Sequence, residues 1–462
     1  MTHLKMRGRA GALRLTIKER LAAGKKLREK APRSSHAKWV ASRYRRDPVD
    51  LLKESDRGRL PALLPIRYRR MRQSPFSFFR GAAALMAADL ASTPTTGMYV
   101  QACGDCHAAN FGGFGTPERQ LVFDINDFDE TLPAPWEWDV KRLAASIVLA
   151  TRETGFSERN CKDVARAAVE SYRKRMHEYA EMTAIEVWYS HLNLKLLADE
   201  AETPAARKSW LKLIDKAAEQ TPGDEFPKIT SIRNGRPRIA DRRPLIYHVP
   251  GLSGIGKRIS LMFQRYRDTL PYERRIVLDR YTIVDVARKV VGVGSVGTRC
   301  AAALLMAGPH DPLLLQFKEA RRSVLEPYAG KSKYENQGER VVVGQRMLQS
   351  ASDVFLGWTR DDEGHDYYFR QLRDMKVKID VEAMSKSDWF EYAELCGWAL
   401  ARAHARTSDP AQIAGYLGKS DAFDDAIEEL AVVYADQTDR DYAALLKAIR
   451  GGQIGTRAKT EA

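Results

Sequence analysis

The spacing of apolar residues along the chain predicts a mainly helical protein with one strand-rich stretch in its second half. Apolar positions recur at helical intervals in residues 138–152 and 156–179, and residues 76–90 are apolar nearly all round, which is typical of a buried helix. From about residue 281 the pattern changes to short apolar runs of strand length, and helical spacing returns after residue 388. We therefore expect an α+β fold.

Two predicted strands in the first half, residues 98–102 and 121–125, are each followed by polar residues. These polar residues are Asp105, His107, Asn110, Asp127 and Asp129. Phosphoryl transfer from a nucleotide needs such groups: one carboxylate orients or deprotonates the attacking hydroxyl, and an amide with a further carboxylate holds the magnesium ion. The spacing resembles the G-D-x-H-x-x-N … I-D-F signature of aminoglycoside, choline and related small-molecule kinases.

That resemblance implies that Asp105 is the catalytic base and that Asn110 and Asp127 are the metal ligands. His107 is grouped with Asp105 at the catalytic position, and we expect it to brace the loop by hydrogen bonding rather than to carry a proton. Asp129 projects to the same side as Asp127 on an extended segment and is therefore assigned to a second metal ion.

Two further aspartates are weaker candidates for chemistry. Asp124 faces away from Asp127 if the strand stays regular. Asp139 begins a predicted helix, where its charge suits the helix dipole, although it also resembles the structural Asp of the D-L-A segment in small-molecule kinases.

A second polar cluster lies in the strand-rich stretch. The run Gly292-Val293-Gly294-Ser295-Val296-Gly297 stands between two strand-like segments, which favours a phosphate-covering hairpin of the kinase type over a dinucleotide-binding turn. The residues predicted to contact the nucleotide are Gly292, Gly294, Ser295 and Gly297.

Lys318 ends the next strand-like run, where a kinase-like protein has the lysine that grips the α- and β-phosphates. Glu339 begins the following predicted helix and is expected to pair with Lys318. Glu319 and Glu326 are alternatives for that partner.

The two clusters stand in the reverse of the usual kinase order, in which the glycine-rich part comes first. We interpret this as a circularly permuted, protein-kinase-like, two-lobed fold with a mostly helical large lobe and a small β-rich lobe. Residues 373–376 then form the hinge, and residues 400–404 resemble the helix that precedes the catalytic loop. The alternative is that one of the two motif sets is accidental.

Longer motifs are similar to those of the bacterial family catalogued as domain of unknown function 2252. They are residues 32–36, 74–83, 103–105, 126–131, 136–139, 292–298, 336–340, 370–374 and 401–405. Cys106 departs from this pattern, in which Ala is expected. The family name implies no activity.

The predicted organisation has five parts. They are a basic N-terminal arm (1–50), a large-lobe part with the catalytic and metal-binding loops (51–280), a small nucleotide-binding lobe (281–376), a C-terminal helical part of the large lobe (377–450) and a disordered tail (451–462).

The net charge of +15 is concentrated at the N-terminus. Residues 1–46 hold 15 Lys and Arg against two acidic residues, so the rest of the chain is nearly neutral. This distribution favours a solvated, partly helical arm over a nucleic-acid-binding face, and nucleic acid is expected at most to contact the arm.

Five cysteines and the absence of a hydrophobic leader favour reduced thiols and a cytoplasmic protein without membrane contact. Residues 103–107 also match the C-x-x-C-H string of haem attachment, but the missing export signal and the Asp inside the loop argue against haem.

The sequence therefore predicts an ATP- and Mg²⁺-dependent phosphotransferase acting on a small-molecule acceptor. The alternatives are transfer of AMP by the same groups and a non-catalytic, nucleotide-binding regulator. Intact Asp105, Asn110, Asp127 and Lys318 argue against the regulator.

Overall fold

The computed structural model of the chain describes residues 15–200, 204–219, 222–233, 235–249, 256–372, 375–377 and 379–456. Its helices are α1 (Ile17–Lys26), α2 (Pro48–Ser55), α3 (Leu64–Met71), α4 (Pro75–Gly81), α5 (Ala83–Leu90), α6 (Trp136–Glu153), α7 (Glu158–Glu181), α8 (Ala184–Tyr189), α9 (Leu194–Asp199), α10 (Pro204–Ala218), α11 (Pro222–Ile229), α12 (Gly256–Arg267), α13 (Tyr272–Leu278), α14 (Glu326–Ala329), α15 (Gln337–Leu348), α16 (Lys386–Ala405), α17 (Pro410–Leu417) and α18 (Ala422–Arg450).

Its strands are β1 (Tyr99–Ala102), β2 (Phe111–Gly115), β3 (Leu121–Ile125), β4 (Leu132–Pro135), β5 (Leu192–Asn193), β6 (Thr230–Arg233), β7 (Arg236–Ile239), β8 (Ile246–Tyr247), β9 (Thr282–Lys289), β10 (Cys300–Gly308), β11 (Asp311–Ala320), β12 (Gly357–Arg360) and β13 (Asp366–Gln371). They form several sheets beside a large set of helices, so the fold is α+β, as predicted.

The largest sheet has six antiparallel strands in the order β12-β13-β11-β10-β9-β8. Phe317 and Phe369 are paired across β11 and β13 and pack on one face, where Tyr266 of α12 stacks on Phe369 with ring centroids 4.0 Å apart. Because side chains alternate along a strand, Lys318 and Tyr368 face the opposite side. That side meets the segment after β3.

The main core lies among α6, α7, α16 and α18, with the short sheets β1-β4 and β2-β3-β5 against it. Trp136 at the start of α6 stacks on Tyr172 of α7, with ring centroids 5.7 Å apart. Both side chains are almost fully buried. This core anchors the ends of β1 and β3, from which the first polar cluster projects.

A buried ion pair joins α16 to β3. Arg402 donates through Nη2 to both carboxylate oxygens of Asp124, at 2.8 and 2.7 Å, and neither side chain is exposed. Ser350 donates to the same carboxylate through its backbone N–H and its hydroxyl, at 2.8 and 2.9 Å. Asp124 is thus a structural residue that faces the core.

Two predicted helices are interrupted. Residues 76–90 form α4 and α5, because the Gly81 carbonyl oxygen accepts a bond from Arg67 Nη2 (2.7 Å) instead of continuing the helical ladder. The predicted helix around 182–197 is broken by β5, and Asn193 caps a new helix through its side-chain oxygen.

The described part of the basic arm is packed, which differs from the expected solvated tail. Arg28 donates to the carbonyl oxygens of Gly415 and Tyr416, both at 2.8 Å, and Arg33 donates to that of Leu417 at 2.5 Å. These carbonyls belong to the C-terminal turn of α17, where cations are favourable. Part of the arm's positive charge is therefore engaged in hydrogen bonds to α17.

None of the helices within the described ranges is long and apolar enough to cross a membrane. Residues 457–462 of the predicted tail, residues 1–14 of the arm and residues 373–374 of the predicted hinge lie outside the described residues. The sheet takes in β8, which precedes the predicted start of the small lobe at residue 281. The five-part division itself remains a prediction.

We predict that Arg402→Met lowers the free energy of unfolding by about 3–5 kcal/mol, because Asp124 keeps a buried, uncompensated charge. Urea unfolding followed by circular dichroism measures the loss. The control is Arg258→Met, which breaks a pair whose side chains are 60% and 54% exposed, so that solvent screens the interaction and stability should change little. Equal losses in the two variants would contradict a structural role for the buried pair.

Candidate functional site

The loop between β1 and β2 is held by groups outside it. Asp139, in the first turn of α6, accepts backbone N–H bonds from Cys103 (2.6 Å) and Gly104 (2.9 Å), and His404 Nε2 lies 3.2 Å from the same carboxylate. Gly104 has a φ of +85°, and a Cβ there would lie 2.4 Å from the carbonyl oxygen of Glu130. Asp139 thus holds the loop, which goes beyond the helix-dipole role expected for it.

Asp105 has one engaged and one free carboxylate oxygen. Arg142 of α6 donates through Nε to Oδ1 at 2.7 Å. Oδ2 lies 4.0 Å from Nε2 of His107 and receives no hydrogen bond from the part of the chain that the structure describes. Burial raises the pKa of Asp105 above its ordinary value, although Arg142 acts in the opposite direction. The free oxygen is therefore suited to accept a proton.

His107 braces the loop with its backbone, not with its ring. Its N–H donates to the carbonyl oxygen of Asp105 at 2.9 Å, and its carbonyl accepts from the N–H of Asn110 at 2.8 Å. Nδ1 of the ring has no partner among the described residues. Burial, together with Arg80 and Arg142, lowers the pKa of His107 well below its ordinary range, so the ring is neutral.

Asn110 has a fixed amide orientation. Its Nδ2 donates to the carbonyl oxygen of Asp105 at 2.7 Å, and its backbone carbonyl accepts from the N–H of Asn126 at 2.8 Å. Because only the NH₂ group can donate to a carbonyl, Oδ1 is left as the free acceptor. Asn110 therefore offers an oxygen ligand at the end of β3.

Asp127 and Asp129 differ in how far they are already bonded. Asp127 is the more exposed, at 39%, and its Oδ1 accepts from the N–H of Asp129 at 3.2 Å. Asp129 accepts hydroxyl bonds from Tyr368 (2.8 Å) and Ser295 (2.9 Å) and also forms an ion pair with Lys318. Both oxygens of Asp129 are thus hydrogen-bonded by this chain, whereas Oδ2 of Asp127 accepts no hydrogen bond from the described residues and lies 3.8 Å from Lys318 Nζ.

Lys318 brings the second polar cluster to the first. Its Nζ contacts Asp129 and lies 3.8 Å from Oδ2 of Asp127. Burial acts to lower the pKa of Lys318, but Asp127 and Asp129 outweigh it and raise that pKa above its ordinary value. The ammonium group is therefore charged and faces the acidic end of β3.

The expected partner of Lys318, Glu339, does not form this pair. Glu339 lies half-buried in the first turn of α15, with its N–H bonded to Asn336 Oδ1 at 3.1 Å, and the ion pairs of Lys318 within the described residues are to aspartates. The alternative, Glu319, is paired with Arg299. Asp129 takes the place expected for Glu339 because it lies in contact with Lys318. A hydrogen bond from Ser295 links Asp129 to the glycine-rich loop as well.

Two arginines, one on α3 and one in the segment between α2 and α3, hold the glycine-rich loop by its carbonyl groups. Arg67 donates to the carbonyl oxygens of Val293 (3.0 Å) and Gly294 (3.1 Å), and Arg59 donates to that of Val296 (2.6 Å). A Cβ on Gly294 would lie 3.2 Å from the Arg80 carbonyl oxygen and 3.9 Å from Asp105 Oδ2.

The other glycines of the loop differ in their surroundings. Gly297 has a φ of +95°, which favours glycine, and Gly292 borders open space. Of the loop glycines, Gly294 is therefore the one beside Asp105.

These groups surround one cavity of about 460 Å³. The predicted site residues that line it are Asp105, His107, Asn110, Asp127, Asp129, Gly292, Gly294 and Ser295. Lys318 reaches the same place through its ion pairs with the two aspartates. Gly297 contacts Arg59 at the back of the loop, and Glu339 does not line the cavity.

Several residues of this site have no sequence signal of their own. Arg142 and Arg67 match no motif and are identified only by their contacts. Glu130 lines the cavity and accepts from the N–H of Val324 at 2.7 Å. The only sequence hint for Glu130 is its place directly after Asp129.

The family comparison agrees with the motifs. The family model DUF2252, described as an uncharacterized protein conserved in bacteria, matches residues 59–448, which include both polar clusters. No curated protein and no solved structure matches the chain.

We predict a pH-dependent stability difference at Glu130. Burial raises the pKa of Glu130 to about 6 from 4.5, so its contribution to stability is present below pH 4.5 and is lost as the pH rises through about 6. The loss amounts to about 2 kcal/mol. Glu130→Gln cannot titrate, so its stability relative to wild type should rise by that amount from pH 4.5 to neutral pH. Urea unfolding at several pH values measures this difference.

The control for removal of a carboxylate is Glu118→Gln, at an exposed position in the turn after β2. A difference between wild type and Glu130→Gln that is constant with pH would contradict the assignment.

Proposed function

The chain belongs to DUF2252, a family of proteins conserved in bacteria, and we propose that it is an ATP- and Mg²⁺-dependent phosphotransferase that acts on a small-molecule acceptor. The observation that carries the proposal is the 3.8 Å approach of Lys318 Nζ to Asp127 Oδ2. This contact brings Lys318, which follows the glycine-rich loop, next to Asp127. Asp127 in turn follows the loop that contains Asp105 and Asn110. Nucleotide phosphotransferases need these groups around the phosphates.

We also propose that the fold is a circularly permuted, two-lobed kinase-like fold. Support comes from the succession around the site: β1, the loop with Asp105, the β2–β3 hairpin and then Asp127. Further support comes from the chain order in the second half. Strand β9, the glycine-rich loop, β10 and β11 with Lys318 come before α15, and the three strands belong to one sheet. After β13 the chain pairs with β2 through Val377 and Gly113, as a linker between lobes would.

The donor groups fit a magnesium ion. Mg²⁺ takes hard oxygen ligands and is commonly held by one or two protein oxygens together with phosphate oxygens. Asn110 offers Oδ1 and Asp127 offers Oδ2, while Asp129 becomes available once Lys318 transfers to a phosphate. A bound magnesium ion supplies charge neutralisation at the phosphates.

Asp105 is the proton acceptor in this scheme. The acceptor's hydroxyl oxygen forms a bond to the γ-phosphorus of ATP, and the bond from that phosphorus to the β,γ-bridging oxygen breaks, with its electron pair leaving on ADP. The hydroxyl proton passes to Oδ2 of Asp105, while Arg142 keeps Oδ1 in place. An amine acceptor loses its proton to the same atom.

The glycine-rich loop is positioned in advance. Arg67 and Arg59 bind its carbonyl oxygens, which fixes the loop beside the cavity before a nucleotide binds. Lys318 supplies a charged donor next to the loop. Preorganised donors of this kind stabilise developing charge without rearrangement in the transition state.

We predict that Asp105→Asn and Asp127→Asn fail differently. Asp105→Asn removes the proton acceptor, so ATP should bind as in wild type while turnover falls by about 10²–10⁴-fold. Asp127→Asn removes a metal charge, so affinity for Mg·ATP and turnover should fall together. Calorimetry gives binding, and separate assays for ADP and pyrophosphate distinguish phosphoryl transfer from AMP transfer. Wild-type binding and turnover in both variants would refute the catalytic assignment.

We predict that Lys318→Met weakens Mg·ATP binding by about tenfold or more, because a charge-assisted contact to the phosphates is lost. Calorimetry is done well below the melting temperature of the variant, since Asp129 also loses its partner. Lys174→Met, at a position with a 63% exposed side chain, is the control. Unchanged affinity in Lys318→Met would remove the nucleotide site from this sheet.

A further inference from the structure

We propose that the phosphate acceptor is itself an anion, a small molecule with a phosphate or carboxylate group that arginines of the cavity bind. This inference rests on the proposed function, because it concerns the acceptor side of the same cavity. It adds a substrate class that neither the motifs nor the family match provides.

The cavity is lined by two kinds of polar group. Asn110 and Asp127 belong to the proposed metal-binding groups. Besides Arg67, which holds the glycine-rich loop, the lining includes five arginines that we call the arginine wall: Arg46, Arg59, Arg80, Arg321 and Arg322. Such a wall attracts anions and repels cationic acceptors.

Four carboxylates near the arginine wall form ion pairs with arginines, whereas Glu130, which also lines the cavity, forms none among the described residues. The matched pairs are Glu54–Arg46, Asp56–Arg67, Asp105–Arg142 and Glu319–Arg299. Arg80, Arg321 and Arg322 have no carboxylate within ion-pair distance in the part of the chain that the structure describes. Arg80, Arg321 and Arg322 are therefore the lining cations with which an anionic ligand would pair.

Arg80 is the clearest unmet group. It comes from α4, lines the cavity beside Asp105, and lies over the Phe76 ring at 5.7 Å. Its Nε is buried and has no hydrogen-bond partner among the described residues. A buried N–H without an acceptor is unfavourable, and an oxyanion in the cavity would supply the missing acceptor for this half-buried arginine. Burial also lowers the pKa of Arg80.

Arg322 provides a second cation without a partner. It is exposed at the rim of the cavity and has no hydrogen bond or ion pair within the described residues. Leu51, Pro327 and Tyr328 also line the cavity. They offer an apolar surface for the carbon skeleton of a small organic anion.

Arginines of the wall lie close to one another. Arg59 lies near Arg67 and Arg321, and burial together with these two cations lowers the pKa of Arg59 to about 9. Arg321 donates to the carbonyl oxygen of Ser55 at 3.0 Å, so it is fixed in this place. An anion in the cavity would relieve the repulsion among these arginines.

The test is equilibrium binding of inorganic phosphate to the full chain, followed by ³¹P NMR in the presence of magnesium and saturating AMP-PNP, which fills the nucleotide part of the cavity. We expect Arg322→Gln and Arg80→Gln each to weaken phosphate binding by about tenfold, because each removes a charge-assisted hydrogen bond. Arg258→Gln, which removes an exposed arginine elsewhere, should leave binding unchanged. Displacement of phosphate by malonate shows whether carboxylates compete.

Arg322 is exposed, so its variant keeps the proposal testable even if Arg80→Gln unfolds. Two results would overturn the proposal: equal phosphate binding in wild type and Arg322→Gln, or binding that is lost only in Lys318→Met, which would place the phosphate in the nucleotide site. Failure of AMP-PNP to bind, with phosphate binding that still depends on Arg322, would instead refute the phosphotransferase and leave the anion site standing.

Discussion

The structure depends on one carboxylate that segments far apart in the chain share. Asp129 accepts bonds from Ser295 and Tyr368 and forms an ion pair with Lys318. Asp129 is half-buried, with 22% of its side chain exposed, so losing one of these partners would leave its charge poorly compensated. The six-stranded sheet, the glycine-rich loop and the end of β3 are therefore fixed relative to one another, which brings Asp127 to face Lys318.

Under the proposed function, a nucleotide would have to replace contacts that Lys318 and Ser295 already make. Lys318 is held by aspartates, and Ser295 ties the glycine-rich loop to Asp129. Phosphate oxygens would compete for the lysine with these carboxylates, and a metal ion would take over the charge of the carboxylates that the lysine leaves. Binding of nucleotide and metal is therefore coupled in this account. When Lys318 moves to a phosphate, the charges of Asp127 and Asp129 stay uncompensated until a metal ion binds them.

The grouping of polar residues at one cavity was predictable from the sequence where chemistry and spacing are local. Asp105, Asn110, Asp127 and Lys318 lie together in this way, and their roles stay predictions. Arg142 and Asp139 were not assigned their contacts with the loop, because those contacts depend on how α6 packs. Glu339 was a wrong partner for the same reason. The break in residues 76–90 depends on one hydrogen bond from Arg67, which no periodicity reveals. The α+β class followed from periodicity alone, whereas the docking of the basic arm required its contacts with α17.

The central claim is that the two polar clusters form one nucleotide site. Its most direct test is a crystal structure with magnesium and a non-hydrolysable ATP analogue. The account predicts a metal ion about 2.1 Å from Asn110 Oδ1 and an Asp127 oxygen, with Lys318 moved from Asp129 to a phosphate oxygen. A nucleotide bound outside this cavity, or a metal ion held by other residues while Lys318 stays on Asp129, would contradict it.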